Sequence, residues 1–476
     1  MWQQTRTKLP IAENNSCDFR SPEHNMGDTV SARVRVKFME ALVAVLSLVV
    51  FALLDVLDFI LCTVYRLADY LLEKEWSPCY CSYPFISSVN SENVSETLYY
   101  RKNSVRDLVC WMKKHTKYLG RGKYGRESMQ TVSSVTEIPS VRVRKAGRWS
   151  DCCCQRCASW NSSDKGKLYV FLGGQGSSTC ASSGSLIDSE SNVILIHGFL
   201  SSSSLWIETI YPSLSESTKL AYRLFAVDLL GFGKSPKPSN CLYTVTQHVD
   251  MIEQSVLQPY KVKSFHLVAH SMGCIIALAL AAKHPNMLKS ITLLSPPYFP
   301  VPSGEQASQF TLKNIAPRKI WPFLTFGSSV MSWYEHVGRT VCLIVCRNHQ
   351  VWEWILKQLR SSRKPNFLLE DLTRHTHYSA WHNFHNVICG AAGEMDKYLE
   401  IVRESKCKVM IMHGKQDGVV PSTCSLAIKR KIGQAKLNLV ENANHTNIIL
   451  GREEIVAKQL EEFWASCRCA SNGIPR

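Results

Sequence analysis

The chain has 476 residues, 45% hydrophobic and 20% charged, with 55 Lys/Arg against 39 Asp/Glu and a formal charge of +16. The apolar share excludes both a disordered chain and a polytopic membrane protein, and the length admits two to four domains or one large α/β domain with insertions and a tail. More than half of the charge surplus lies between Arg101 and Arg148, where 13 Lys/Arg face 3 Asp/Glu. That stretch holds no recognition helix and no aromatic-interleaved motif, which argues against a nucleic-acid partner and for apposition to anionic lipid.

Residues 1–76 are a polar head followed by an apolar segment. The basic run Arg33, Arg35, Lys37 precedes Ala41 to Leu54, apolar apart from Ser47, and Asp55 and Asp58 interrupt before Ile60 to Tyr65. The stretch falls short of the roughly 20 clean apolar residues of a spanning helix. It reads as a long-headed signal peptide or a signal anchor, with a buried amphipathic helix as the alternative.

Residues 77–191 are Ser-rich, Cys-rich and basic, with no assignable fold. The 19 cysteines bunch at Cys79/Cys81 and at Cys152, Cys153, Cys154 and Cys157. Only Cys154 and Cys157 have C-x2-C spacing, and the distant C-x-C pair does not complete a zinc ribbon, so no metal is expected. In a secreted chain these residues would form disulfides, with at least one thiol left over. Asn93 and Asn161 are glycosylation sequons for a secreted chain. Asn14 precedes the apolar segment, and Asn444 is expected to be shielded.

From Asn192 the pattern changes. NVILI, YRLFAV (222–227), SFHLVA (264–269), SITLL (290–294), KVMIM (408–412) and KLNLV (436–440) are short continuous apolar runs, as in strands buried on both faces. Helical patterns at 247–260, 272–284 and 454–467 alternate with them. This predicts an α/β-hydrolase fold, a mostly parallel central sheet with helices on both faces, its core in residues 192–297 and 407–476. The Trp-rich segment 298–406 reads as a helical cap over the carboxyl edge of the sheet, suited to an apolar substrate, although most of its Trp residues are expected simply to pack the cap onto the core.

Ala269-His270-Ser271-Met272-Gly273 closes a strand and opens an apolar helix, the setting of a nucleophile elbow, with Ala269 in place of the usual first glycine. A serine hydroxyl needs a base held by a carboxylate. Asp417 follows the KVMIM strand and His445 the KLNLV strand, giving the chain order Ser, Asp, His. Glu441 is the rival carboxylate, but it is too near His445 in the same loop to reach around the ring. The oxyanion donors expected are the amides of Met272 and Phe199, on a loop shaped by His197 and Gly198, with the His197 ring structural. DLLGFGKS (228–235) lacks a phosphate-loop or dinucleotide pattern, so no cofactor is expected, and Asp228 is read as structural. His375, His377, His382 and His385 lack companion Cys or carboxylate ligands, so the cap is read without a metal.

The motifs HGF, DLLGFGKS, AHSMG, HGKQDGVVP and NANH, in this order, resemble the α/β-hydrolase superfamily. HGFLSSSSLWIETI, LLSPPYFPVP, EWSPCYC and RWSDCCCQRC make the chain similar to the plant BODYGUARD-type hydrolases. The resemblance implies a lysophospholipase or cuticle esterase acting on lipid acyl esters. It also implies passage through the secretory pathway to a plasma-membrane or cell-wall surface, catalysis by Ser271, Asp417 and His445, and a lipid-anchored cysteine at the position of Cys62. A transacylase, or a ligand-binding receptor retaining the three residues, remains compatible with the same motifs.

Overall fold

The computed structural model describes residues 26–74, 94–98, 148–161, 166–174, 192–359 and 367–471, with Val105, Leu108, Val109 and Met112. Residues 1–25 of the polar head, the EWSPCYC motif, the sequons Asn14 and Asn93, nearly all of the basic stretch from Arg101 to Arg148 and the SSTCASSGS run lie outside the described residues.

Seven strands form the sheet: β1 (Val170–Gly173), β2 (Asn192–Ile196), β3 (Arg223–Val227), β4 (Phe265–His270), β5 (Leu288–Leu294), β6 (Lys408–Gly414) and β7 (Lys436–Val440), in the order β1-β3-β2-β4-β5-β6-β7. All neighbours are parallel except β1, which runs antiparallel to β3 with Val170 opposite Val227 and Gly173 opposite Leu224. The six runs read as strands from the sequence are β2 to β7. The seventh, β1, comes from the stretch with no assignable fold, so the sheet begins before Asn192. Tyr169 extends this junction, its carbonyl accepting from the Asp228 amide at 3.0 Å.

Because side chains alternate across a strand, β2 feeds two cores. Ile194 and Ile196 join Phe225 and Val227 on one face; Val193 and Leu195 meet Leu224, Trp206 and Trp464 on the other. Each such fully buried side chain contributes about 1.5–3 kcal/mol relative to exposure.

The helices named below are α1 (Met26–Glu73), α2 (Gln155–Asn161), α3 (Glu216–Ala221), α4 (Val245–Ile252) and α5 (Met272–Lys283), followed by the cap helices α6 (Ala307–Ile315), α7 (Phe323–Trp333), α8 (Glu335–Ile344), α9 (His349–Leu359), α10 (Phe367–Thr373) and α11 (His377–His382), and then α12 (Met395–Glu404), α13 (Thr423–Lys431) and α14 (Glu453–Ser471). Thr244 starts α4 with a capping box completed by Gln247. Every residue of α5 from Met272 to Ala281 is buried, which is why its sequence is apolar on all sides.

The cap is stitched to the loops that follow β3. The Ser379 hydroxyl donates to the Gly231 carbonyl at 3.0 Å, and the Asn386 amide to the Leu242 carbonyl at 2.6 Å. Gly231, at φ +91°, leaves no room for a side chain: an added Cβ would lie 2.8 Å from that of Ser379. Of the cap tryptophans, Trp333 and Trp381 pack inward, whereas Trp321 and Trp354 are 68% and 64% exposed.

Helix α1 crosses from one compact unit to another, the division falling between Leu46 and Ser47. From Ser47 onward its polarity is inverted. The buried positions are Ser47, Phe51, Asp55, Asp58, Cys62, Tyr65 and Asp69, one stripe at helical spacing, while Leu48, Leu53, Ile60, Val64, Leu67 and Leu71 are exposed. The aspartates that break the apolar run in the sequence face the cap. Asp55 accepts from Arg318 (2.8 Å) and Tyr334 (2.9 Å), Asp58 from the His336 amide (2.9 Å), and Asp69 from both Arg339 nitrogens (2.8 and 2.6 Å), Arg148 (2.6 Å) and the Trp149 indole (2.6 Å). By length and composition alone, and contrary to the expectation from the sequence, Lys37–Glu73 is long and apolar enough to cross a membrane.

Candidate active site

At the end of β4 the chain turns at Ser271 with φ +52° and ψ −124°, a backbone conformation that L residues seldom adopt and that the packing on both sides must hold. The neighbouring glycines permit it. A Cβ on Gly273 would meet the His197 carbonyl at 2.4 Å, and one on Gly198 would stand 3.1 Å from the Ser271 Cβ.

Three loops bring the sequence-selected residues together. The Ser271 Oγ lies 2.9 Å from His445 Nε2, and His445 Nδ1 lies 2.8 Å from Asp417 Oδ2. Asp417 is fixed by its own turn, its Oδ1 accepting from the amides of Val419 and Val420 at 2.9 and 2.8 Å. With Nδ1–H donated to this carboxylate, Nε2 keeps its lone pair toward the serine. Burial alone would raise the Asp417 carboxyl, but His413, His445 and the Val420 amide hold it well below the usual carboxylate range. Glu441 pairs instead with Lys415 at the surface.

Two histidines not selected from the sequence support this arrangement. His413 Nε2 lies 2.9 Å from the Val420 carbonyl and 3.3 Å from Asp417 Oδ2, while its Nδ1 accepts from Ser425 at 2.6 Å. His270 Nε2 donates to the His445 carbonyl at 3.0 Å, anchoring the loop that carries the base. Burial and the neighbouring His445 lower His270 to about 3, so it stays neutral. Each stands inside a motif read from the sequence, one directly before Ser271 and one at a strand end, and position beside a catalytic candidate was the available signal.

His197 uses both ring nitrogens, Nδ1–H donating to the Gly198 carbonyl at 2.7 Å and Nε2 accepting from the Leu229 amide at 2.9 Å. Asp228 in turn accepts from the amides of Ser203 and Lys234 at 2.6 and 2.7 Å. Both side chains therefore hold the loops in place. The Met272 amide opens α5, where helix geometry leaves the first N–H groups without intrahelical partners. Phe199 follows Gly198 on the loop bordering the serine, its ring 5.7 Å from that of Phe232 and 5.9 Å from that of Phe384.

Three expectations are corrected here. Asn444 is exposed rather than shielded, its Oδ1 accepting from the amides of Thr446 and Asn447. Cys62 is buried inside the continuous helix α1, on the stripe facing the cap, so its thiol is not presented as an anchor point. The cysteine spacing and the cap histidines do not rule out metal geometry. Cys152, Cys154 and Cys157 converge on His349, and Cys342 and Cys346 on His375, because the ligands that the local sequence lacks come from distant segments.

On α10, burial and the carboxylates of Asp228, Glu370 and Glu208 push Asp371 up to about 8, against a lowering hydrogen bond with Ser202. An unfolded aspartate titrates near about 4. The stability contributed by the neutral carboxyl is therefore complete below about pH 4 and is lost as the pH rises toward 8. Asp371→Asn is expected to raise the thermal midpoint at pH 8 and leave it unchanged near pH 4; a midpoint difference independent of pH would contradict the assignment.

Residues 192–451 match the family model described as the alpha/beta hydrolase fold. Over 90% of its length the chain is 44% identical to Probable lysophospholipase BODYGUARD 4 of Arabidopsis thaliana, covering 99% of that protein. It is 41% identical to Probable lysophospholipase BODYGUARD 3 of the same plant, over 89% of this chain and 96% of the relative. Human Monoacylglycerol lipase ABHD6 is 26% identical over 59% of this chain and 77% of its own length.

Proposed function

The chain belongs to the α/β-hydrolase family and within it to the BODYGUARD group, and is a hydrolase of lipid esters; from this premise we propose that Ser271, His445 and Asp417 perform the hydrolysis through an acyl-enzyme. The observation that carries this reading is the continuous relay of 2.9 and 2.8 Å from the serine hydroxyl through the imidazole to a buried carboxylate.

His445 takes the Ser271 proton as the oxygen attacks the acyl carbonyl, and Asp417 stabilises the imidazolium that forms. The amides of Met272 and Phe199 hold the developing oxyanion, each such donor contributing about 3 kcal/mol. His445 returns its proton to the leaving alcohol, and then activates water to release the fatty acid and restore the serine.

The substrate proposed is a lysophospholipid or a cutin-type ester presented at a membrane or cell-wall surface, in the building of the cuticle. Supporting this are the names of the relatives, the aromatic surroundings of Phe199 and the exposed apolar face of α1. Trp321 and Phe323 are also exposed, next to Ile320, whose amide donates to Ser47 on α1 at 3.2 Å. Amphipathic elements of this kind seat an enzyme in the headgroup layer, and the reading places the protein on the secretory route to the plasma membrane or wall.

The test is incubation of the full chain with vesicles carrying lysophospholipid and a hydroxy-acyl ester, followed by mass spectrometry of the products and flotation of the vesicles. Free fatty acid and co-flotation of the protein are expected. Acyl transfer onto the hydroxy-acyl acceptor in place of acid release, or covalent labelling by a fluorophosphonate with no turnover, would overturn hydrolysis as the reaction, and protein left at the bottom of the gradient would overturn the surface association.

A further inference from the structure

We infer that Cys152, Cys154, Cys157 and His349 form a tetrahedral structural zinc site that fastens the segment before β1 to cap helix α9. The four donor atoms all lie within 4.8 Å of one another. His349 Nε2 stands 3.5 Å from both Cys154 Sγ and Cys157 Sγ. A tetrahedral ion with zinc–sulfur bonds of about 2.3 Å and zinc–nitrogen bonds of about 2.0–2.1 Å requires a sulfur-to-nitrogen edge of about 3.5–3.6 Å. The observed separations match that edge.

The surroundings complete the arrangement. His349 Nδ1–H donates to Glu353 Oε1 at 2.9 Å, one turn along α9, which aims the Nε2 lone pair at the sulfurs. Glu353 is itself gripped by Arg374 through Nε and Nη2 at 2.8 and 2.9 Å. A carboxylate behind the ligating imidazole is the usual second layer of a zinc site. On the other side, the Cys154 amide points at Cys152 Sγ (3.4 Å) and the Cys157 amide at Cys154 Sγ (3.5 Å), contacts that stabilise thiolate charge. Binding releases the thiol protons and leaves three thiolates around a divalent ion, one net negative charge, and Lys237 and Arg374 line the cavity next to Cys152 and Cys157.

Four protein ligands leave no open position, so the site is structural. Disulfides account for the cluster less well, since pairing among three thiols leaves one over and an imidazole backed by a carboxylate has no part in them. The nearby group of Cys342, Cys346 and His375 is a weaker case. It has three donors, edges of 3.7 and 3.6 Å, and a buried His375 Nδ1 without a hydrogen-bond partner.

The experiment is metal analysis of the full chain purified under reducing conditions without chelator. Bound zinc is expected, falling by one equivalent per chain in the Cys154→Ser/Cys157→Ser variant. Cobalt(II) put in place of zinc should show thiolate charge-transfer and tetrahedral absorption bands that vanish in the same variant. Glu353→Gln keeps every ligand and is expected to weaken zinc affinity by about 10–100-fold in competition with a chromogenic chelator. Zinc content equal in wild type and double variant, or peptide mapping that finds Cys152, Cys154 or Cys157 in a disulfide, would overturn the site; unchanged affinity in Glu353→Gln would do so even if the cysteine variant failed to fold.

Discussion

Ser271→Ala is expected to lower kcat on a lysophospholipid or model acyl ester by roughly three to six orders of magnitude with no loss of folded protein. The mutation removes the only atom that bonds to the acyl carbon and leaves the elbow geometry, the oxyanion amides and the His445–Asp417 pair untouched. What survives is the acceleration due to binding and oxyanion stabilisation alone. The measurement is burst and steady-state release of product at matched protein concentration, with circular dichroism as the control for folding. Turnover near that of the wild type would move the chemistry elsewhere and discard the acyl-enzyme.

The largest expected effect on stability is at Asp69, far along the chain from the serine. Its carboxylate receives four hydrogen bonds, two from Arg339, one from Arg148 and one from the Trp149 indole, and its side chain is 9% exposed against 6% for that of Arg339. Replacing it with alanine leaves the Arg339 guanidinium without its carboxylate in a poorly solvated site, packed over the Tyr65 ring at 4.4 Å, whereas Arg148, 20% exposed, keeps Glu73 at 3.7 Å. Removing one partner of such a buried cluster costs about 3–5 kcal/mol. Asp69→Ala should therefore lower the unfolding free energy in urea by about that amount. A loss below about 1 kcal/mol would mean that α1 and the segment at Trp149 are held to the cap by other contacts.

Much of the fold and of the candidate site was legible in the sequence because the informative signals there are local. A strand buried on both faces must be a continuous apolar run, and β2 to β7 are such runs. An elbow needs small neighbours, and Ser271 has Gly273 beside it, with Gly198 approaching from the next loop. What the sequence concealed depends on partners remote in the chain. The four residues of β1 have no periodicity of their own and become a strand only because β3 offers an open edge. His349 lies 192 residues from Cys157, so no local spacing rule could pair them. The aspartates of α1 read as interruptions of an apolar helix until Arg318, Tyr334 and Arg339 are seen opposite them. His413 and His270 have no signature in composition because each acts through a hydrogen bond to a backbone carbonyl.

The antiparallel strand β1 bears on how this protein can be cut. A fragment trimmed to residues 192–451, the span that matches the family model, would lose β1 on one flank and α14 on the other. It would bare the outer hydrogen-bonding rim of β3, whose residues Leu224 to Val227 are fully apolar, and uncover the hollow that Trp464 fills. An unprotected apolar rim recruits foreign strands. Such a fragment would clump through its sheet rather than behave as a minimal enzyme, so the smallest soluble unit has to start before Tyr169 and continue past Trp464.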